Sequence, residues 1–338
     1  MPMTITTPEF VGNGEIKFGE RVIRDPGSGE LLIRVHANAI CGTDREQYLS
    51  GSEIVPGHEA AGVVAAAGPG TSISEGTAGV VFLMDYCGTC VSCVRGFTNQ
   101  CLAKRADMGF TQDGGYGPYE LVHESNFFPV GAGLSAADAT LLLDVMGTSG
   151  HAVGRAQLVR PDIESAYIAG AGPIGLGLLA MCKILFGHEF PVRITDISPS
   201  RLKLAQSLGG EPVDASNEDA VRELPPSDVA FDSTGKQIAR QAAITVLGRR
   251  GVLVCVGHGE TLTLDVSPDL IAAERAVLGS EYFRYQELPR NLDLLRDHRE
   301  YLTKIITHRR DVAEIGDAFV NFFAGETGKV VITQGEDW

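Results

Sequence analysis

Residues 165–187 read SAYIAGAGPIGLGLLAMCKILFG. A short apolar strand, YIAG, runs into a glycine turn and then into an apolar helix. Gly170, Gly172 and Gly175 stand in the order G-x-G-x-x-G, with Pro173 and Ile174 between the last two. Such a turn brings backbone close to a pyrophosphate and aims the first amides of the helix at it. A lone glycine fingerprint is a weak signal, but here the context is present. VRITDIS follows as a second strand, ending in Asp196, twenty-one residues past Gly175. An acid at that strand end bonds the ribose diol of NAD and repels a 2′-phosphate. Ile197, Ser198 and Pro199 supply no adjacent arginine, so NAD is expected rather than NADP.

The alternation continues outward from this stretch. DVAFDSTG (228–235) reads as strand and turn, KQIARQAAITVL (236–247) as helix, GVLVCVGHG (251–259) as strand and loop, and RAVLGS (275–280) as strand. Strands separated by helices predict a doubly wound parallel sheet, a Rossmann domain over 147–281. Thr148 and the glycine loop at Gly257 are expected to line the nicotinamide. The 338 residues, 44% hydrophobic and 21% charged, suffice for a sizeable core in two domains. A net charge of −15 argues against nucleic-acid binding. The N-terminus lacks a basic stretch followed by an apolar one, so no secretory signal is expected. The longest apolar run, GLGLLAMCKILFG, is too short for a membrane span. A cytoplasmic protein is expected, where persistent disulfides are rare.

That expectation bears on CGTCVSCVRGFTNQC (87–101), which holds four of the seven cysteines. Cys87, Cys90, Cys93 and Cys101 give C-x2-C-x2-C-x7-C, with Gly88 and Gly96 to let the backbone turn around an ion. Four thiolates form a closed tetrahedral site, so a zinc here is structural. A redox pair is the competing reading, and an iron–sulfur cluster uses other spacings. A second, open site is suggested upstream. Cys41, in AICGTDREQYL, follows the alternating strand LLIRVHANAI. His58 and Glu59, in VPGHEAAGVV, precede another apolar strand. A Cys and a His from separate strand ends can share one zinc and leave a position for substrate. Asp144, in LLLDVMGTSGHAV, offers a further carboxylate.

The cysteine lobe, GHEAAGVV, the glycine turn and the string Phe283–Arg284–Tyr285 together resemble the zinc-containing medium-chain dehydrogenases, on the sorbitol and glucose dehydrogenase branch. The resemblance covers essentially the whole chain. It implies an α/β architecture: a mostly-β GroES-like catalytic domain (1–146 and 282–338) around the Rossmann domain. It implies two zinc ions per chain, NAD, and hydride transfer from a secondary alcohol of a polyol, sugar or cyclitol. Cys41 and His58 match the family's catalytic zinc ligands. The third ligand is left open between Asp144, where sorbitol dehydrogenases carry Glu, and Glu59. Thr43 matches the residue that takes the substrate proton. Glu46 stands where many relatives have a histidine relay, and is either a relay or a solvated charge. Arg201 matches a contact to the adenosine ribose, and Arg284 one that supports the polyol near the active site. The segment DGGYGPYELV has no carboxylate at Pro118 or Tyr119, where glucose dehydrogenases hold the sugar, which counts against glucose itself. The family pairs edge strands into homodimers or homotetramers, to which TLTLDV (261–266) could contribute. The rival expectations are a dehydrogenase or ketone reductase for simple secondary alcohols, and a non-catalytic dinucleotide-binding protein.

Overall fold

The computed structural model describes residues 2–338. Two sheets organise it. The first is mixed: Glu30–Ala39 is its central strand, flanked by Ala60–Ala67, by Tyr119–His123 and by Lys329–Thr333. Its inward positions are Leu31, Ile33, Val35, Ala37 and Ala39, all buried, as the alternation of LLIRVHANA requires of a strand. The second sheet is wholly parallel. Its strands, in chain order, are Ala166–Ala169, Val192–Asp196, Glu211–Asp214, Ser227–Asp232, Leu247–Cys255 and Ala276–Gly279. Their spatial order is 3-2-1-4-5-6, so the chain reverses direction between Ala166–Ala169 and Ser227–Asp232. Ligands of doubly wound sheets bind at that switch point, beyond the carboxyl ends of the strands.

After Gly279 the chain crosses back to the first sheet. Ile306–Asp311 pairs with Lys329–Thr333, which lies antiparallel to Glu30–Ala39. One apolar core spans both sheets, from Phe82 and Leu83 through Leu141–Val145 to Leu176, Leu179 and Ile194.

One expected strand does not form. Residues 261–265 of TLTLDV have no regular structure, and Val266 opens the short helix Val266–Asp269. The alternating leucines are used differently: Leu262 and Leu264 pack down from a loop onto the core beneath the parallel sheet. The sheet's two edge strands are Glu211–Asp214 and Ala276–Gly279.

Candidate active site

Cys41 sits just past the end of Glu30–Ala39, and His58 and Glu59 just before Ala60–Ala67. Because those strands are antiparallel neighbours, with Asn38 opposite Ala60, the three residues emerge at the same end of the sheet. Val331 pairs with Ala39, which carries Lys329 to the level of Cys41. Asp144 comes from the helical layer. It begins a π-helical turn, Asp144–Thr148, closed by a bond from Thr148 N to Leu143 O. Single π turns are rare and concentrate at functional sites. Gly147 is required in this one, because a Cβ there would meet the Phe283 ring at 2.4 Å.

One atom from each of Cys41, His58, Glu59 and Asp144 lies within 4.8 Å of the other three, and all four residues are buried. Cys41 Sγ donates to Asp144 Oδ2 at 3.1 Å, and His58 Nε2 lies 3.7 Å from the same oxygen. His58 Nδ1 lies 3.3 Å from Asp44 Oδ1. The other Asp44 oxygen accepts from Cys41 N at 2.9 Å and from Tyr116 Oη at 2.7 Å. Thr148 Oγ1 donates to Asp144 Oδ1 at 3.2 Å. Glu59 Oε1 forms a very short ion pair with Lys329 Nζ, while its Oε2 is buried with no hydrogen-bond partner among the described residues.

Burial works against charge on His58, but Asp144, Asp44 and Cys41 outweigh it and hold the imidazole pKa well above the ordinary value. Burial likewise opposes ionisation of Asp144, yet His58, Lys329 and Cys41 hold its carboxyl well below the usual range. Burial pushes Glu59 up to about 8, with the Asp144 charge adding to it. At Lys329 burial is overcome by Glu59, Asp144 and Cys41, which keep the ammonium charged. A thiol, an imidazole and a carboxylate that converge in a buried pocket fit a zinc ion. The cation would relieve the crowding of acidic groups there.

The other expected residues are distributed around this centre. Thr43 and Glu46 lie exposed on the turn and short helix after Cys41. Arg284 is turned toward the cysteine lobe: Nη2 donates to Glu287 at 2.7 Å and the guanidinium sits 5.8 Å over the Phe97 ring. It makes no hydrogen bond to the cluster. Asp44, Tyr116 and Lys329 escaped the sequence reading. Asp44 had a signal, standing three residues after a candidate ligand. Lys329 had only its place at the head of an apolar strand. Phe110, part-exposed, rests its ring 4.9 Å from His58.

The cysteine lobe brings its four sulfurs within 4.8 Å of one another as well. Cys90 N and Cys93 N donate to the sulfurs of Cys87 and Cys90, Leu102 N to Cys90, and Cys87 N to Cys101, at 3.3–3.5 Å. Bonds from backbone amides bring Cys87 down to about 6. All seven cysteines are free thiols. Amides aimed at thiolates fit a metal site of four cysteines.

At the carboxyl ends of the parallel strands a cleft of about 500 Å³ is lined by Tyr167, Gly170, Asp196, Ile197, Arg222, Ile238 and Thr245, among others. Gly172 caps the helix Pro173–Phe186, with Pro173 at its first position. Gly175 is needed for contact: a Cβ there would lie 1.8 Å from Gly170 O. Asp196 accepts from Ala171 N at 2.8 Å and from Ser198 N at 2.9 Å, which ties the strand end to the glycine turn. Gly257 packs against Gly235 N, and its carbonyl accepts from Arg240. These features fit a dinucleotide.

Two family models match the chain: the alcohol dehydrogenase GroES-like domain over residues 27–132, and the zinc-binding dehydrogenase domain over residues 173–297. The D-altritol 5-dehydrogenase of Agrobacterium fabrum is 29% identical over 91% of this chain and 93% of its own length. The L-galactonate-5-dehydrogenase of Escherichia coli is 29% identical over 90% and 91%. A cobalt- and zinc-bound thermostable alcohol dehydrogenase from Pyrobaculum aerophilum superimposes with a TM-score of 0.85, at 27% identity over 98% of this chain and 100% of that one.

Proposed function

The chain belongs to the zinc-containing medium-chain dehydrogenases, an oxidoreductase family acting on CH–OH groups, and from that premise we propose that it oxidises a secondary alcohol of a polyhydroxylated substrate with NAD as hydride acceptor. The observation that carries this reading is the meeting of Cys41, His58 and Asp144 in one buried cluster. The altritol and galactonate relatives support a polyol or sugar-acid substrate by their own activities.

We assign Asp144 as the third protein ligand, beside Cys41 and His58. Glu59 is engaged by Lys329 and belongs to the layer behind. When bound, zinc would supply Lewis acidity toward the substrate hydroxyl, and the nicotinamide would accept the hydride. The chain's own residues do the rest. Asp44, facing Nδ1, fixes the His58 tautomer that leaves Nε2 for the metal. Thr43 takes the hydroxyl proton, and Glu46 on the exposed side passes it to water. Thr148 braces Asp144 and, with Gly257, borders the nicotinamide. Asp196 holds the ribose diol, and the turn Gly170–Gly175 receives the pyrophosphate. Arg284 steadies Glu287 at the edge of the substrate pocket. The second zinc occupies Cys87, Cys90, Cys93 and Cys101. We take 1–146 with 282–338 as the catalytic domain and 147–281 as the cofactor domain of a cytoplasmic homodimer or homotetramer, joined through the edge strand Ala276–Gly279.

The test combines metal analysis with NAD and NADP reduction over polyols, sugar acids, cyclitols and simple secondary alcohols. Two zinc ions per chain and turnover confined to polyhydroxylated substrates with NAD are expected. Rates that rise with alkyl chain length would replace the substrate assignment, and absence of turnover with every alcohol would overturn the function.

A further inference from the structure

Residues 114–116 are laced to the three residues that lead into His58. Gly114 N donates to Val55 O at 2.7 Å, Gly115 N to Gly57 O at 2.8 Å and Tyr116 N to Pro56 O at 3.1 Å. Gly57 has a φ of +103°, and a Cβ there would lie 2.8 Å from Tyr116 N and 2.9 Å from the Tyr116 ring. Glycine is what lets the two segments approach this closely. On the far side, Gln334 Nε2 donates to the carbonyls of Gly115, Tyr116 and Gly117 at 3.2, 3.3 and 2.9 Å. The chain just past the strand Lys329–Thr333 thus grips the same turn. The Tyr116 ring is fully buried. Its centroid lies 5.8 Å from that of Phe10, on which it stacks, and 5.5 Å from that of Phe319, which it meets in a T-shaped contact. Backbone and ring are therefore fixed without any help from the hydroxyl.

The hydroxyl crosses to the segment that follows Cys41. It donates to Asp44 Oδ2 at 2.7 Å, beside Cys41 N at 2.9 Å. Asp44 is fully buried, and its one ion-pair partner among the described residues is His58. Asp44 Oδ1 and His58 Nδ1 face each other at 3.3 Å, and neither atom has another hydrogen-bond partner among the described residues. The last torsion of an aspartate is broad and two-fold, so a carboxylate turns freely unless its oxygens are claimed. Two donors on Oδ2 leave Oδ1 as the oxygen turned toward the imidazole. Burial and the Asp44 charge push the Tyr116 phenol well above its ordinary pKa, so it stays a donor. A hydroxyl bound to a carboxylate is among the stronger hydrogen bonds, and in the interior no water replaces it when it is lost.

We propose that Tyr116 is a positioning residue for the inner cluster: by holding Asp44 Oδ2 it turns Oδ1 onto His58 Nδ1 and so aims Nε2 toward Cys41 and Asp144. The proposal rests on the zinc reading of that cluster and adds to it the group that sets the histidine's partner. One side chain then joins the two segments that carry Cys41 and His58. Its backbone and ring hold residues 55–57, and its hydroxyl holds the turn Gly42–Asp44. A phenylalanine would fill the same space in the core, so the hydroxyl serves Asp44 and not the packing.

The experiment compares wild type with Tyr116→Phe, and repeats the comparison in an Asp44→Ala background. It measures the zinc dissociation constant by competition with a chromophoric chelator, the inner site being the one lost in His58→Ala. The visible absorption of cobalt(II) at that site and the melting temperature of the metal-free proteins are recorded alongside. Loss of a group behind a metal-bound histidine weakens metal binding by about ten- to hundredfold, and the lower end, about tenfold, is expected for Tyr116→Phe, which acts one bond further out. The cobalt bands should shift, and the lobe should keep its ion. In the Asp44→Ala background, Tyr116→Phe should weaken zinc binding no further. An unchanged inner-site constant or an unchanged cobalt spectrum in Tyr116→Phe would overturn the proposal, even with a lower melting temperature, since the hydroxyl would then support only the fold. An undiminished effect in the Asp44→Ala background would overturn it too, because the hydroxyl would be acting on something other than Asp44. If Asp44→Ala does not fold, the constant and spectrum of the single variant decide. If wild type binds zinc at the inner site and Tyr116→Phe binds it equally well, the positioning role fails while the metal reading stands. If wild type binds zinc only in the lobe, both fail.

Discussion

The chain holds two clusters of candidate metal ligands built in opposite ways. The cysteine lobe is drawn from fifteen consecutive residues, uses one ligand type, and stabilises its sulfurs with its own backbone amides; three of its four cysteines are part-exposed. The inner cluster draws Cys41, His58, Glu59 and Asp144 from two strand ends and a helical turn, mixes ligand types, and is buried throughout. The first takes all four sulfurs from one loop. The second exists only when two strands and the helical layer are packed, with Asp44, Thr148 and Lys329 behind the ligands. Local support makes a site robust to distant change, whereas distributed support makes it tunable and couples it to the fold.

The largest effect expected is at Asp144. Asp144→Ala should cut turnover by at least about a hundredfold, the scale lost when support of a metal site is removed. It should leave one zinc per chain, held by the lobe. Asp144→Glu should keep both ions and part of the turnover, and Asp144→Asn should fall between. Full zinc and near-normal turnover in Asp144→Ala would erase the contrast between the two clusters. The next largest effect is on stability. Lys329→Met leaves Glu59 buried without its partner and should cost about 3–5 kcal/mol in denaturant unfolding. Adding Glu59→Gln should restore most of it; failure of the double variant to recover would show that the pair is not the support inferred here.

The lobe offers the reciprocal experiment. Cys93→Ser should release the lobe's ion and lower the melting temperature, while the inner ion stays, because the sites share no ligand. Loss of both ions together would show that the lobe props the catalytic cluster. The smallest effect separates burial with partners from burial alone. Glu120 on Tyr119–His123 is fully buried with neither oxygen hydrogen-bonded among the described residues, and burial, aided by Asp113, raises its pKa well above the ordinary value. A carboxyl raised on folding contributes stability that is whole below its unfolded pKa, about 4.3, and is lost as pH rises toward the folded value. Glu120→Leu should therefore stabilise the protein by about 1–3 kcal/mol at pH 8, with little gain near pH 4. Melting curves across that range check it, and a pH-independent difference would rule out titration of Glu120 as the cause.

The parallel sheet was legible because its punctuation is local: the glycine turn, the acid closing VRITD, and helical segments between strands. Cys41 and His58 were legible through their positions next to alternating strands. The pattern misled at TLTLDV, where period-two leucines face a core from a loop, since alternation records burial and not the presence of a neighbouring strand. Arg284 shows a similar limit. Its neighbour Phe283 packs against the π-helical turn at Gly147 and Tyr285 against Phe82, Tyr86 and Phe128, but the intervening side chain points to the lobe and Glu287.

By itself, then, the sequence determined the elements whose chemistry is written in short spacings: the cysteine lobe, the G-x-G-x-x-G turn with Asp196, and the strands that deliver Cys41 and His58. Tertiary structure alone decided which buried polar groups meet. Glu59 and Lys329 are 270 positions apart, Cys41 and Asp144 are 103 apart, and Arg201 reaches Thr327 across 126 positions. Hydrophobic periodicity fixes which face of an element is buried, to the nearest residue. It leaves open the partner on that face, because a buried charge must find its counter-charge wherever packing of the whole chain brings one within hydrogen-bonding distance.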